Sequence, residues 1–412
     1  MEVPTGRRQL MLLLVVVCVQ NIAYTVLIPL VPRLRTDFRM SVLAVALAFA
    51  GFTATKALSQ PVGGWLSDRL GPRRIGLAGL VVAAGSTLAL AFAHTGGALL
   101  VTRLVWGVGE GLAIPALLVL TTELGRASGV GTDRAIGWFG SAAVTGMALG
   151  PLVIVPFGGA VTVRQAFLVA GAMSVASAAL FARLPLPQQP IRDRPAVGNT
   201  PRTGVAGGGR EFLAVVLALG LLDFVNNFIY AGLEPLFAAF GAAVTGSARA
   251  VSIVLFLGLL AFAAAAPLAG SAIAGRSALR LATGFFLVQA ACLAVPAGLT
   301  TAAVEVVAFI VFMAAQSSVY VCVRGVLAGL RGDYQGRAFG LFGLVSDLGW
   351  VTGPLVVAGM FGRPQSGTLL LWAALAVLAA AGAALLAWFR RRERPPRVAP
   401  PVPDEAGLAA GP

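Results

Sequence analysis

Stretches of roughly twenty residues with almost no charge recur along this chain. They lie near 10–32, 41–65, 75–94, 98–121, 135–158 and 164–183, and again near 212–236, 250–272, 279–299, 302–328, 337–361 and 367–389. That length and character is what an α-helix needs to cross the hydrocarbon core of a bilayer. Composition agrees: at 58% hydrophobic and 11% charged residues, with a mean hydropathy of +0.89, there is too little charge to clothe a soluble surface. The expected fold class is an all-α membrane protein of twelve transmembrane helices in two pseudo-symmetric six-helix bundles. The run 10–32 follows Arg7 and Arg8, is longer than a signal-peptide core and lacks a small-residue cleavage site, so it reads as the first span.

A formal charge of +14 would suggest nucleic acid as a partner in a soluble protein. Here 29 of the 30 basic residues are Arg, in short runs between apolar stretches, which is a topology signal rather than a polyanion groove. Placing both termini in the cytoplasm puts 21 basic residues inside, six outside and three within spans, namely Lys56, Arg103 and Arg324. The reading is a multi-pass protein of a bacterial inner membrane, monomeric, with the lipid bilayer as its surroundings. Cys18, Cys292 and Cys322 have no paired spacing and His94 is the sole histidine, so a metal site, a cofactor or a catalytic triad is not expected. The chain is not read as an enzyme.

The segment Leu184 to Arg210 is rich in Pro and Gly and divides the chain. The expected units are a first bundle at 1–184, a cytoplasmic linker at 185–210, a second bundle at 211–390 and a disordered cytoplasmic tail at 391–412. The two bundles are related in sequence. Arg134-Ala-Ile-Gly-Trp-Phe-Gly, ending at Gly150-Pro151, recurs 203 residues later as Arg337-Ala-Phe-Gly-Leu-Phe-Gly, ending at Gly353-Pro354. Gln20-Asn21-x-x-Tyr24 recurs 206 residues later as Asn226-Asn227-x-x-Tyr230. Duplicated six-span halves in parallel orientation are the framework of rocking transporters.

Three segments then resemble a known family. Gly64-Trp-Leu-Ser-Asp68-Arg69-Leu-Gly71-Pro-Arg73-Arg74 closely resembles the G-x-L-a-D-R-x-G-R-[RK] loop signature of the major facilitator superfamily. The equivalent stretch of the second half, Gly270 to Arg276, has Ala274 in place of the aspartate. Arg103-x-x-x-Gly107-x-Gly109 resembles the family's fourth-span pattern, with Trp106 where a polar residue is often found, and the resemblance implies a coupling role for Arg103. Gly146-x-x-x-Gly150-Pro151, with Gly158-Gly159 later than usual, resembles the fifth-span signature of the antiporter branches, and Pro29-Leu-Val-Pro32 resembles a first-span pattern of drug:proton antiporters. Small residues four apart let helices approach closely, and Pro151 allows a bend.

Independently of any family, polar groups inside spans must find partners or line water. Asp223, Asn226, Asn227 and Tyr230 form one stripe on the seventh span, and Gln20, Asn21 and Tyr24 form its counterpart on the first. Facing each other, they are the candidate substrate cavity. Asp223 has no acidic counterpart and is the first choice for a proton carrier, with Glu110, Arg103 and Asp347 as further coupling candidates. Arg103 and Glu110, seven residues apart on one helix face, are a candidate relay. Lys56 and Arg324 are expected near the aqueous ends of their spans, snorkelling. The function expected is proton-coupled efflux of a small amphipathic or lipophilic compound. The alternatives are an importer of a sugar, organic anion or other metabolite, and a non-transporting sensor or scaffold.

Overall fold

The computed structural model describes residues 5–26, 33–34, 37–154, 161–185, 209–245, 248–273, 277–294, 302–330 and 334–360, with Leu375, Ala379, Gly382 and Ala383. Among them are eleven α-helices: α1 (Thr5–Thr25), α2 (Val42–Leu70), α3 (Pro72–Ala89), α4 (Gly96–Ala127), α5 (Thr132–Ile154), α6 (Val163–Arg183), α7 (Gly209–Thr245), α8 (Ala248–Ile273), α9 (Ala278–Ala294), α10 (Ala302–Ala328) and α11 (Gln335–Met360). They follow the first eleven expected spans in order. Nine are long and apolar enough to cross a membrane, and α9 is a shorter apolar helix. The expected twelfth span at 367–389 lies outside the described residues except for its four described positions, all of them helical and buried. Residues 186–208 of the expected linker, the tail, Pro29 to Pro32, Gly158-Gly159 and Ala274 also lie outside, while Gly209 and Arg210 of that linker already belong to α7.

Local chemistry sets the helix ends. Ser41 and Thr95 cap α2 and α4 by accepting from the N–H groups of Ala44 and Ala98, and Thr162 with Gln165 forms a capping box on α6. Between α2 and α3 the chain turns through Gly71 at φ 92°, a region that disfavours a side chain, and Pro72 then opens α3. Those two residues account for the glycine and proline of the loop signature.

The halves meet along two seams related by the sequence repeat: α2 against α11 and α8 against α5. In one seam Gly340 lies against the backbone of Gln60 and Pro61; in the other Gly137, 203 residues earlier, lies against Ala266 and Pro267, 206 residues later. Gly64 abuts Gly336, and Gly270 abuts Asp133, by the same offsets. No side chain fits at Gly64 because a Cβ there would run into the Gly336 carbonyl. On this side of the molecule one buried core runs through both halves, joining Leu117, Ile136 and Phe139 to Val319, Phe339 and Phe342. Towards the other side it divides. One core gathers Phe52, Trp106 and Phe167, and another gathers Ile229, Phe312 and Met313 with Val144.

The joined side carries the polar latch. Both Asp68 oxygens accept backbone N–H groups at the start of α11, from Gly336 at 2.8 Å and Arg337 at 2.9 Å, with the Arg337 side chain 3.9 Å away. A carboxylate from one half thus caps a helix of the other, where the helix dipole favours it. In the second seam the acid has changed sides: Ala274 replaces the aspartate, and Asp133, at the position equivalent to Gly336, sits in the first turn of α5 itself. Arg126 donates to the Ala328 carbonyl at the end of α10 at 3.2 Å, and Gln335 bridges Thr122 and Ala328. Arg73 reaches the Ala182 carbonyl near the end of α6, Arg69 lies over the Trp65 ring, and Arg74 is exposed.

Burial raises the Asp68 carboxyl from 3.8 to about 6, against the pull of the two N–H donors and Arg337. A state with Asp68 in water would keep the ordinary value, so the joined state binds this proton more tightly. Its advantage is fully present below about pH 4 and is lost as pH rises through about 6, on the order of 3 kcal/mol. Spin labels at the exposed Leu70 and Tyr334 read this directly. Between pH 6.5 and pH 4 the short-distance population should rise relative to that of Asp68→Asn, in which only the opposing response of the Lys56–Asp347 pair remains; an equal pH response in both would contradict the assignment. Gly64→Ala should weaken the seam by about 1–3 kcal/mol and lengthen the same distance. An unchanged distance distribution would show that the α2–α11 contact is not limiting.

Candidate functional site

Just beyond the joined side, a cavity of about 220 Å³ lies between the halves. Both repeat-related stripes reach it: Gln20, Asn21 and Tyr24 from α1, Asn227 and Tyr230 from α7. The glycines of α5 and α11 make room for these helices. A Cβ on Gly146 would lie 2.8 Å from Asn21 Cβ, and one on Gly349 would lie 3.1 Å from Asn227 Cβ. Gly150 packs on Ile22 and Thr25 in the same way, and Pro151 continues α5 past it. The fifth-span signature is therefore the place where α1 and α5 touch.

Lys56 and Arg324 do not snorkel to the aqueous ends; both line this cavity, each beside a carboxylate. Lys56 Nζ on α2 lies 3.0 Å from Asp347 Oδ2 on α11, and Gln60, one turn along from Lys56, donates to the same oxygen. This pair crosses from one half to the other. Arg324 Nη1 on α10 lies 2.9 Å from Asp223 Oδ1 on α7, and its guanidinium stacks 3.5 Å over Tyr320. An acid within reach offers a buried cation more than a strained route to the headgroups. Asp223 itself is wholly covered, taking Ser346 and Asn227 as further donors, so Arg324 is the member of that pair that faces the cavity.

Glu110 also lines the cavity, with Oε1 accepting from Gln20 at 2.7 Å and from the Trp106 indole at 3.3 Å. Its counterpart 206 residues on is Gln316, which bonds the counterpart of Gln20, Asn226, through Nε2 to the Asn226 carbonyl at 3.0 Å. Asn226 is turned away from the cavity into a buried amide network with Gln289 and Gln316. Arg103 is turned away too. It donates to the Ala48 carbonyl and lies against Phe49, Phe52 and Trp106. Among the described contacts Arg103 and Glu110 do not meet directly; Trp106 stands between them, giving its N–H to the acid and its ring to the cation. The aromatic residue that departs from the fourth-span pattern is thus the link between the two.

Sequence reading missed Lys56, Gln60, Arg324, Ser346 and Trp350 as cavity residues. One signal was available: Lys56 is the sole lysine, lies mid-span and has Gln60 at i+4. The cross-half partner of Lys56 has no local signature, because α2 and α11 are brought together only by the packing of the halves.

Residues 13–354 match the sequence profile of the Major Facilitator Superfamily. A probable sulfoacetate transporter of Cupriavidus necator, SauU, is 30% identical over 157 residues, which is 37% of this chain and 35% of that protein. The quinolone resistance protein NorA of Staphylococcus aureus is 26% identical over 148 residues, 36% of this chain and 37% of that protein. The matched regions thus span about a third of the length of these relatives. The human organic anion transporter MFSD10 (TETRAN) superposes with a TM-score of 0.77 at 20% identity, over 93% of this chain and 100% of that one. The Escherichia coli fucose:proton symporter FucP gives 0.71 at 13% identity, over 95% and 100%. At these identities the likeness to both solved structures is one of fold, and the profile match along most of the chain places this multi-pass membrane protein in the Major Facilitator Superfamily.

Proposed function

We propose that the protein is a proton-coupled secondary transporter that exports a small amphipathic compound from the cytoplasm by alternating access. The observation that carries this reading is the Lys56–Asp347 pair, because it joins the two halves at the cavity. Rocking the halves apart on that side separates the pair, and leaving one buried charge without its partner costs about 3–5 kcal/mol. A proton placed on Asp347 dissolves the attraction before separation and leaves Lys56 to Glu110, the carboxyl of its own half on the same cavity wall, so protonation gates the opening. Asp347 therefore takes the place of Asp223 as the first choice for the proton carrier. Asp223, held by Arg324, Ser346 and Asn227 within one half, serves as the counter-charge that keeps Arg324 in place.

Glu110 is the second carboxyl at the cavity wall, positioned by Gln20 and by Trp106, and Arg103 acts on it through Trp106. The side joined by Asp68 is the cytoplasmic one, supported by the concentration of arginines there, which makes the structure outward-facing and the membrane a bacterial inner membrane. Export draws support from the α1–α5 glycine contacts and from the similarity to a quinolone resistance protein.

Everted membrane vesicles test the reading. An imposed pH gradient, followed by acridine orange, should be dissipated when a transported compound from a panel of lipophilic acids and amines is added. In Asp347→Asn the dissipation should slow at least about tenfold, equivalent to roughly 1.4 kcal/mol on the barrier. Dissipation at the native rate in Asp347→Asn would remove this carboxyl from the coupling step, and gradient-independent flux would remove coupling altogether.

A further inference from the structure

The cations near the cavity wall are less fully used than the carboxylates. Among the described contacts, every acid near the cavity already has two or more donors. Asp347 Oδ2 takes Lys56 and Gln60, Glu110 Oε1 takes Gln20 and Trp106, and Asp223 takes Arg324, Ser346 and Asn227. The cations are different. Arg324 spends a single N–H, on Asp223, which lies behind it away from the cavity, and Lys56 spends one on Asp347. The remaining N–H groups of a planar fork and an ammonium are left on cavity-lining residues. Such donors suit an acceptor-rich ligand, and an acidic group fits a guanidinium fork better than any neutral one.

The apolar part of the wall is paired as well. Tyr24 stacks on Phe52 with ring centroids 5.1 Å apart, and its repeat counterpart Tyr230 meets Trp350 edge-on, also at 5.1 Å. All four rings line the cavity, one pair from each half. They offer two aromatic faces to a flat, apolar body.

We infer that the transported compound is an organic acid: its carboxylate or sulfonate is read by Arg324 and Lys56, and its apolar body lies between the Tyr24–Phe52 and Tyr230–Trp350 walls. This rests on the reading of the cavity as the transport site. It also gives the substrate a part in gating, since an anion taken up by Lys56 competes with Asp347 and loosens the contact between the halves.

Isothermal titration of the purified full-length protein tests it with four probes of one shape: 2-naphthoate, 2-naphthalenesulfonate, methyl 2-naphthoate and 2-naphthylmethylamine. The two acids should bind at least about tenfold more tightly than the ester and the amine. Arg324→Gln alone strands Asp223, so the informative variant is Asp223→Asn with Arg324→Gln, which keeps the buried site neutral and hydrogen-bonded. In it the acids should weaken about tenfold while the ester is unaffected. The amine binding as tightly as the acids, the acids binding equally well to the double variant, or neither acid binding would overturn the inference. Acid binding of the expected kind with no proton-linked flux in vesicles would instead remove the coupling reading and leave the ligand class standing.

Discussion

Lys56 and Asp347 lie 3.0 Å apart in a bundle that crosses a membrane, and they belong to different halves of the protein. Each charge would be costly there alone, so each needs the other for as long as the halves stay joined. The surrounding structure is arranged around that requirement. Gln60 supplies Asp347 with a second donor, and Gly343 leaves room for the Gln60 side chain because a Cβ at that position would overlap it. One turn further along α2 the backbones of Gly64 and Gly336 touch, and beyond them Asp68 caps α11. A single seam thus holds the close backbone contact, the ion pair and the cap in sequence.

The second seam has the same geometry and different chemistry. By the repeat offsets, the places of Lys56 and Asp347 are taken by Phe262 and Val144, which lie in one apolar core. The place of Asp68 is taken by Ala274, and its acid reappears as Asp133 on the receiving helix. An apolar contact separates without a proton. In the proposed mechanism the duplicated scaffold therefore supplies a symmetric hinge, and charge placed on one seam alone makes its opening respond to protonation.

Much of this was legible in the sequence. The apolar runs gave the helices, and the offsets of 203 and 206 residues bring together pairs that do touch in equivalent ways, Gly340 with Gln60 and Gly137 with Ala266. The stripes on α1 and α7 do line the cavity at Gln20, Asn21, Tyr24, Asn227 and Tyr230. Asn226 is on the same stripe and yet faces away, since a stripe spanning a turn of helix is wider than the cavity and its edge meets α9 and α10. The ionic pairing was not legible. Arg324 and Lys56 resemble snorkelling residues until the partner acids are placed, and those acids come from helices far along the chain. Trp106 looked like a loss of polarity in the fourth span because its indole N–H is invisible to a hydropathy reading.

The claim that the proton rides on Asp347, on the seam between the halves, is open to infrared difference spectroscopy on the purified protein between high and low pH. With Asp68 replaced by Asn throughout, so that its own band is removed, a component of the C=O stretch of neutral carboxylic acids should appear on acidification, persist in Asp223→Asn and be lost in Asp347→Asn. A band that survives Asp347→Asn and is lost in Asp223→Asn would place the proton inside one half and contradict the gate described here.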